Sequence, residues 1–247
     1  MIDTTVKAYA TRAAASLAMA LAAVLLLVAV DRSDARQSPV AVAARGHATL
    51  TGLADAIDGD TLLVGGLRVR LEGIDTPEAM QTCTTTTGAV WNCGAEAHKL
   101  LARLIAHQTV TCEERGLDKY KRLLGVCYAG AVELNAELVR QGLAFAFVRY
   151  SRSYVGQEAQ ARAAKIGIWS GTAQAPWDYR AERWQMAEVG TPTGCPIKGN
   201  VTANGRIYHM PWSPWYGRVK MDGDKGKRWF CTEEEAVAAG WRPAQVH

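Results

Sequence analysis

One segment, Asp58–Glu78, constrains the fold of this 247-residue chain more than any other. Residues 58–60 predict a turn, because the Asp-Gly dipeptide favours a backbone with positive φ. Thr61–Val64 then predicts a short strand, and Gly65-Gly66 is the signal of a two-residue hairpin. Leu67–Ile74 alternates apolar and charged side chains with a period of two, which is typical of a half-buried strand. The segment therefore predicts a tight β-hairpin flanked by turns.

The two faces of the second strand differ in character, and Pro77 ends this strand because it has no N–H to donate. We expect the apolar set to be buried and the charged set to lie on the opposite face, with Leu67, Val69 and Leu71 on one side and Arg68, Arg70 and Glu72 on the other. The turns at either end of the hairpin carry Asp60, Asp75 and Glu78. The hairpin is therefore expected to bring carboxylates together beside Arg70.

Carboxylates held close together repel each other unless a cation lies between them. An all-oxygen cluster suits a hard ion such as calcium. The planar fork of an arginine fits a phosphate. Carboxylates, a metal and an arginine together are the groups that phosphodiester hydrolysis requires. The alternative is a solvated hairpin with surface salt bridges, and this segment alone leaves both interpretations open.

The N-terminus predicts the compartment. Lys7 and Arg12 precede an uncharged apolar run at residues 13–30. This pattern is typical of an exported protein, with residues 1–35 acting either as a cleaved signal peptide or as a membrane anchor. The domain would then be periplasmic, secreted or membrane-anchored outside the cytoplasm. Six cysteines agree with export, because disulfides persist outside the cytoplasm.

The cysteines fall into pairs that are local in sequence: Cys83 with Cys93, Cys112 with Cys127, and Cys195 with Cys231. The first pair would close a loop over residues 79–91. The second would join neighbouring strands. The whole chain has a net charge of +4, but residues 46–171 carry 13 basic and 13 acidic residues, so contacts of this region with nucleic acid must come from local clusters and not from its overall charge.

Periodicity divides the remainder into short elements. We expect strands at residues 48–56, 109–113 and 123–128, helices at 94–106, 134–141 and 155–165, and an extended segment at 144–150. Residues 172–194 are interpreted as a linker with a short helix at 179–186, and residues 195–247 as a separate small α+β module. In that module Thr232 and Glu235 form a capping box. A disulfide between Cys195 and Cys231 is favoured over a zinc site that would include His209.

Five motifs occur in one order: IDGDT, RLEGIDTPE, DKYKR, LVRQGLA and GIWSG. In this order and spacing they resemble the staphylococcal-nuclease-like thermonucleases over residues 46–171. The resemblance implies a mainly β fold with flanking helices, a five-stranded Greek-key barrel of the oligonucleotide-binding (OB) type. It also implies calcium-dependent cleavage of DNA and RNA.

The same resemblance implies a role for each matching residue. Asp60, Asp75 and Thr76 match the calcium ligands. Arg70 and Arg122 match the arginines that contact phosphate, and Glu78 matches the carboxylate that activates or orients the attacking water. Lys119, Tyr120 and Tyr150 match positions near the nucleotide. The sequence differs from the family at Lys121, where the family usually has glycine. Lys121 lies in the turn that carries Arg122, so this difference bears on the position of Arg122.

Residues 195–247 resemble the small module called the sunset domain, which follows exported nucleases and envelope proteins. The leading hypothesis is an exported calcium-dependent endonuclease. Two alternatives remain open: a nucleic-acid-binding module without catalysis, and a cell-envelope interaction protein whose barrel acts as a spacer.

Overall fold

The computed structural model describes residues 47–191, 194–223 and 226–244. The predicted signal or anchor segment at residues 13–30 lies outside these ranges. Within them, none of the helices combines the length and the apolar character needed to cross a membrane.

Short strands dominate the described chain. In chain order they are β1 Thr49–Ala56, β2 Thr61–Val64, β3 Leu67–Leu71, β4 Ile74–Asp75, β5 Cys83–Thr85, β6 Val90–Trp91, β7 Thr109–Leu117, β8 Leu123–Ala129, β9 Val132–Glu133, β10 Phe145–Ala146, β11 Gly171–Thr172, β12 Ile197–Thr202, β13 Gly205–His209, β14 Arg228–Phe230 and β15 Arg242–Pro243. The helices are α1 Cys93–Ile105, α2 Leu134–Arg140, α3 Val155–Ala164, α4 Pro176–Val189 and α5 Glu233–Ala238, with 3-10 turns at Gly167–Ser170 and Tyr216–Arg218.

Five strands close into a barrel. The strand order is β3-β2-β1-β7-β8, and β8 returns to pair in parallel with β3. The predicted hairpin is confirmed, because β2 and β3 pair antiparallel and Gly65 and Gly66 have φ of +54° and +87°. Those positive values are what a two-residue turn of the primed type requires. The predicted mainly β barrel with flanking helices is therefore confirmed.

Apolar side chains fill the barrel and its helical flank. The buried cluster includes Leu62, Val69 and Leu71 from the hairpin and Leu101 from α1. Helix α1 begins where the side chain of Asn92 accepts a hydrogen bond from the backbone N–H of Ala95 at 3.1 Å. Val69 and Leu71 thus face inward as predicted, which places Arg70 on the opposite side, but the prediction that Leu67 is buried with them is wrong because Leu67, next to the turn, is 57% exposed.

Three local predictions need correction. The strand predicted to run from Leu67 until Pro77 is interrupted, because β3 ends at Leu71 and Gly73 takes a φ of +76° in a turn before β4. The segment predicted to be extended at residues 144–150 forms a strand only at Phe145–Ala146, because the chain then turns and the N–H of Tyr150 binds the carbonyl of Phe147. The turn at residues 58–60 does not rely on positive φ at Gly59. Glycine is needed there for space, since a Cβ would lie 2.5 Å from Oγ1 of Thr76.

The C-terminal part packs a four-stranded sheet, in the order β14-β12-β13-β15, against α5. Thr232 caps α5 as predicted, accepting from the N–H of Glu235 at 3.1 Å. The segment interpreted as a linker instead contains the 14-residue helix α4, longer at both ends than predicted. Pro176 starts this helix because its fixed φ suits the first helical position. Where the domain boundary falls stays a prediction, and residues 45–247 group into one unit.

All three predicted disulfides are present, and the second one yields a stability prediction. Cys112 and Cys127 are directly opposed on β7 and β8 and are separated by 15 residues in sequence. Chain-entropy reasoning gives about 3 kcal/mol for a loop of this size. A Cys112→Ala/Cys127→Ala variant should therefore melt at a lower temperature in calorimetry. Free thiols in the mass spectrum of the protein isolated from its natural compartment would contradict the export argument.

Candidate active site

Asp60 and Asp75 meet on the charged side of the hairpin. Asp60 follows the turn after β1, and Asp75 ends β4, which pairs with β10. Both are almost fully buried, at 3% and 0% exposure. Oδ2 of Asp60 accepts a hydrogen bond from the backbone N–H of Thr76 at 3.0 Å. The structure therefore ties the two turns together, as the sequence predicted.

Arg70 lies between the two aspartates. Its Nη1 donates to Oδ1 of Asp60 at 2.6 Å, and its Nη2 donates to Oδ1 of Asp75 at 2.9 Å. Burial by itself lowers the pKa of Arg70, but the neighbouring carboxylates outweigh it and raise this pKa above its usual value. Burial also raises the pKa of Asp60, against the opposing effect of Arg70. The arginine is therefore a fixed positive charge at the centre of the cluster.

Glu78 lies near Asp75, and a hydrogen bond from its backbone N–H helps to fix its position. Its N–H donates to Oε1 of the buried Gln81 at 3.1 Å, and Nε2 of Gln81 donates to the carbonyl of Gln174 at 2.6 Å. Burial raises the pKa of the Glu78 carboxyl to about 7, although Arg180 opposes the shift. A carboxyl with a pKa near neutrality is suited to accept a proton at physiological pH.

Arg180, on α4, is the site residue that sequence reasoning missed. Its Nη2 donates to Oδ2 of Asp75 at 2.7 Å, and its Nη1 donates to Oδ1 of Asp75 at 3.1 Å and to Oε1 of Glu78 at 2.8 Å. Its segment had been interpreted as a linker. The four-residue spacing of Pro176, Arg180 and Trp184 places all three on one face of a helix, but it does not indicate what that face contacts.

The donor set suits a hard divalent cation. The predicted ligands, two aspartate carboxylates and the backbone carbonyl of Thr76, are oxygen donors of the kind that hard divalent cations bind. Both oxygens of Asp75 are engaged by guanidinium groups. In the described ranges, no group of three or more acidic, histidine or cysteine side chains is arranged to hold a metal ion.

Arg122 is placed by the turn between β7 and β8. Oδ1 of Asp118 accepts from the backbone N–H groups of Tyr120 and Arg122, both at 2.8 Å, and Oδ2 accepts from Nε of Arg122 at 2.6 Å. Nζ of Lys119 lies 4.5 Å from the ring centroid of Tyr120. One face of this turn therefore presents two cations beside an aromatic ring.

Lys121 adopts a φ of +62°, the left-handed conformation that glycine tolerates best. We expect Lys121→Gly to raise the free energy of unfolding by up to about 1 kcal/mol and to leave activity within a few-fold of the parent. Lys165→Gly is a matched control, since Lys165 has a φ of +53° at the end of α3. Chemical denaturation measures both variants. A large loss of activity in Lys121→Gly alone would instead place the Lys121 cation on the substrate.

A cavity of about 690 Å³ connects these groups. Asp60, Arg70 and Glu78 line it, and so do Lys119, Tyr120, Arg122 and Tyr150. Tyr150 is 70% exposed, with its ring 5.0 Å from that of Phe147. The structure thus brings the predicted residues to one cleft, with Asp75 buried behind its wall.

The C-terminal part forms the opposite wall of this cleft. Tyr208, Met210 and Trp212 line the same cavity. Nζ of Lys119 pairs with Oε1 of Glu234 at 3.2 Å. The cleft therefore has cations on the barrel side and aromatic and apolar side chains on the other side.

Comparison with known proteins gives matches over both parts of the chain. The family described as "Staphylococcal nuclease homologue" matches residues 68–171, and the family described as ArfC matches residues 183–243. The ArfC match supports a distinct C-terminal module only in part, and the likeness to the sunset domain stays a prediction.

Three curated relatives illustrate the similarity. The chain is 36% identical to "Micrococcal nuclease" of Shigella flexneri over 50% of this chain and 76% of that protein. It is 30% identical to "Protein ParB" of Escherichia coli over 66% of this chain and 97% of that protein. It is 35% identical to "Succinoglycan biosynthesis protein ExoI" of Rhizobium meliloti (strain 1021) over 49% of this chain, and there it spans only 64% of the relative.

Proposed function

The chain belongs to the staphylococcal nuclease homologue family, and from that premise we propose that it is an exported calcium-dependent endonuclease that hydrolyses phosphodiester bonds of DNA and RNA. The observation that carries the proposal is the cluster in which the buried Asp60 and Asp75 meet the partly exposed Arg70 and Glu78, at the edge of a cleft lined with cations. Buried charges of both signs are costly to assemble, and such clusters are typical of functional sites.

In the proposed site Asp60, Asp75 and the carbonyl of Thr76 hold the calcium ion. A divalent cation held there would supply Lewis-acid stabilisation of the negative charge on the phosphate. The all-oxygen donor set supports a hard cation over zinc or copper. Chelation is therefore expected to abolish cleavage without removing the fold.

The protein side chains stabilise the charge on the phosphate and accept the proton of the water. Arg70 and Arg122 place guanidinium groups where negative charge grows on the phosphate as the bond to water forms. Glu78 accepts the proton of the attacking water, and burial supports this role by raising the pKa of its carboxyl group. Arg122 is held by Asp118, so its orientation is set before the substrate arrives.

The cleft supports nucleic acid as the substrate. Lys119 and Arg122 offer positive charge to phosphates, and the rings of Tyr120 and Tyr150 offer faces on which bases stack. Trp212, on the opposite wall, gives a further aromatic surface. This arrangement tolerates different bases, as the proposed action on both DNA and RNA requires.

Export is supported by the disulfides Cys83–Cys93, Cys112–Cys127 and Cys195–Cys231. Anchoring by residues 13–30 remains the proposed alternative to cleavage of a signal peptide.

A second candidate is a nucleic-acid-binding module without catalysis. The contacts of Arg180 with Asp75 and Glu78 favour it, because they engage the groups that cleavage needs. Incubation of the purified protein with plasmid DNA and with single-stranded RNA, first in calcium and then in excess chelator, separates the two candidates. Calcium-dependent cleavage supports the nuclease, whereas binding without cleavage in calcium contradicts it.

A further inference from the structure

Asp75, one of the proposed metal ligands, is bound on both of its carboxylate oxygens by one arginine from outside the barrel. Nη1 and Nη2 of Arg180 contact Oδ1 and Oδ2 of Asp75 at 3.1 and 2.7 Å. This two-point pairing is the strongest arrangement that a guanidinium and a carboxylate form. A divalent cation that binds Asp75 must therefore replace at least part of this contact.

Glu78 is bound by the same guanidinium. Nη1 of Arg180 lies 2.8 Å from Oε1 of Glu78, so one positive group bridges the two carboxylates. Bridging two carboxylates is what a divalent cation does in an all-oxygen site. The guanidinium therefore supplies the charge compensation that a cation would otherwise supply at this edge of the cluster.

We propose that Arg180 is a built-in competitor of the divalent cation, and that it sets the metal affinity of the site by having to leave Asp75 and Glu78 before the metal binds. This inference rests on the proposed metal site and names a residue that lies outside the match to the staphylococcal nuclease homologue family, which ends at residue 171.

The other arginine in the cluster does not fit this role. Arg70 lies on β3, within the closed barrel, and bridges Asp60 to Asp75. Arg180 lies on α4, outside the barrel strands, lines the cleft and contacts Asp75 and the partly exposed Glu78. Departure of Arg180 leaves Asp60 and Asp75 paired with Arg70, whereas departure of Arg70 would leave the buried Asp60 without its arginine partner.

The test is calcium binding in the absence of nucleic acid. Arg180→Gln removes the competing cation, and a second arginine on the same helix provides the control. Arg183 is exposed and lies over the ring of Tyr179, so Arg183→Gln makes the same change of charge away from the cluster. Isothermal titration calorimetry with calcium chloride on the full chain measures the affinity of each variant.

We expect Arg180→Gln to bind calcium about tenfold or more tightly than the parent, because the metal no longer displaces charge-assisted hydrogen bonds. Arg183→Gln should match the parent. The rise in melting temperature on adding calcium should also be larger for Arg180→Gln, because a tighter ligand stabilises the folded state more. Equal or weaker calcium binding by Arg180→Gln would overturn the proposal and would make Arg180 a residue that positions the carboxylates.

Should Arg180→Gln fail to fold, Arg180→Lys serves as the second variant. Lysine keeps the charge and loses the fork, so its calcium affinity should exceed that of the parent by a smaller factor. An unchanged affinity in Arg180→Lys would count against competition. Absence of calcium binding in the parent and in every variant would refute the metal site itself, whereas calcium-dependent cleavage by the parent with unchanged affinity in the variants would refute the role of Arg180 alone.

Discussion

Glu78→Gln is expected to lower the single-turnover rate of nucleic-acid cleavage by about 100-fold or more, the usual scale for loss of an acid–base group. Glutamine keeps the shape of the side chain and cannot accept the proton of the attacking water. Binding of a short oligonucleotide should be kept or improved, since a negative charge near phosphate is removed. An interaction that acts only in the transition state changes turnover and leaves substrate affinity in place.

The matched control for this variant is Glu96→Gln. Glu96 lies on α1 and pairs with Lys99 at the surface, so this substitution makes the same chemical change away from the cluster. Its cleavage rate should equal that of the parent. A Glu78→Gln protein that cleaves at the parent rate would show that the water is activated by another group.

Asp75→Asn is the second substitution for which we expect a large effect. Loss of one ligand charge should weaken calcium binding by about an order of magnitude or more. The same substitution removes the anionic partner of Arg70 and Arg180 from a fully buried position. Breaking a buried ion pair in this way should cost about 3–5 kcal/mol of folding free energy.

Calorimetric titration and chemical denaturation measure the two effects of Asp75→Asn separately. Asp55→Asn is the control, because Asp55 is exposed on β1. The same substitution at this position should leave both calcium affinity and the free energy of unfolding unchanged. Unchanged calcium affinity in Asp75→Asn would remove Asp75 from the metal site. An unchanged free energy of unfolding would mean that the two arginines find other partners.

Local signals allowed the sequence to predict the hairpin and the disulfides. Gly65-Gly66 specifies a turn whose two residues both need positive φ, and no other part of the chain is needed to interpret it. Cys112 and Cys127 are paired because they are neighbours among the cysteines in sequence, and the expectation that they join adjacent strands is confirmed by the register of β7 and β8. Asp60 and Asp75 could be placed together for the same reason, since a short hairpin joins them.

Local sequence signals of this kind do not predict contacts between segments that are far apart in the chain. Arg180 reaches Asp75 across 105 residues of sequence, and no local pattern specifies such a contact. The role of Gly59 was also misjudged. Its need for space arises from Thr76 and Ala97, which approach it only in the folded barrel. The sequence shows that a glycine is present, and only the structure shows which of the properties of glycine is used.

The measurement that tests the central claim most directly is single-turnover cleavage of an end-labelled oligonucleotide, with binding measured on the same preparation of the parent protein. The account predicts that the protein binds the oligonucleotide, cleaves it when calcium is added, and stops when calcium is chelated, with the Glu78→Gln variant binding but not cleaving at a comparable rate. A parent protein that binds the oligonucleotide and leaves it intact at every calcium concentration would contradict the account.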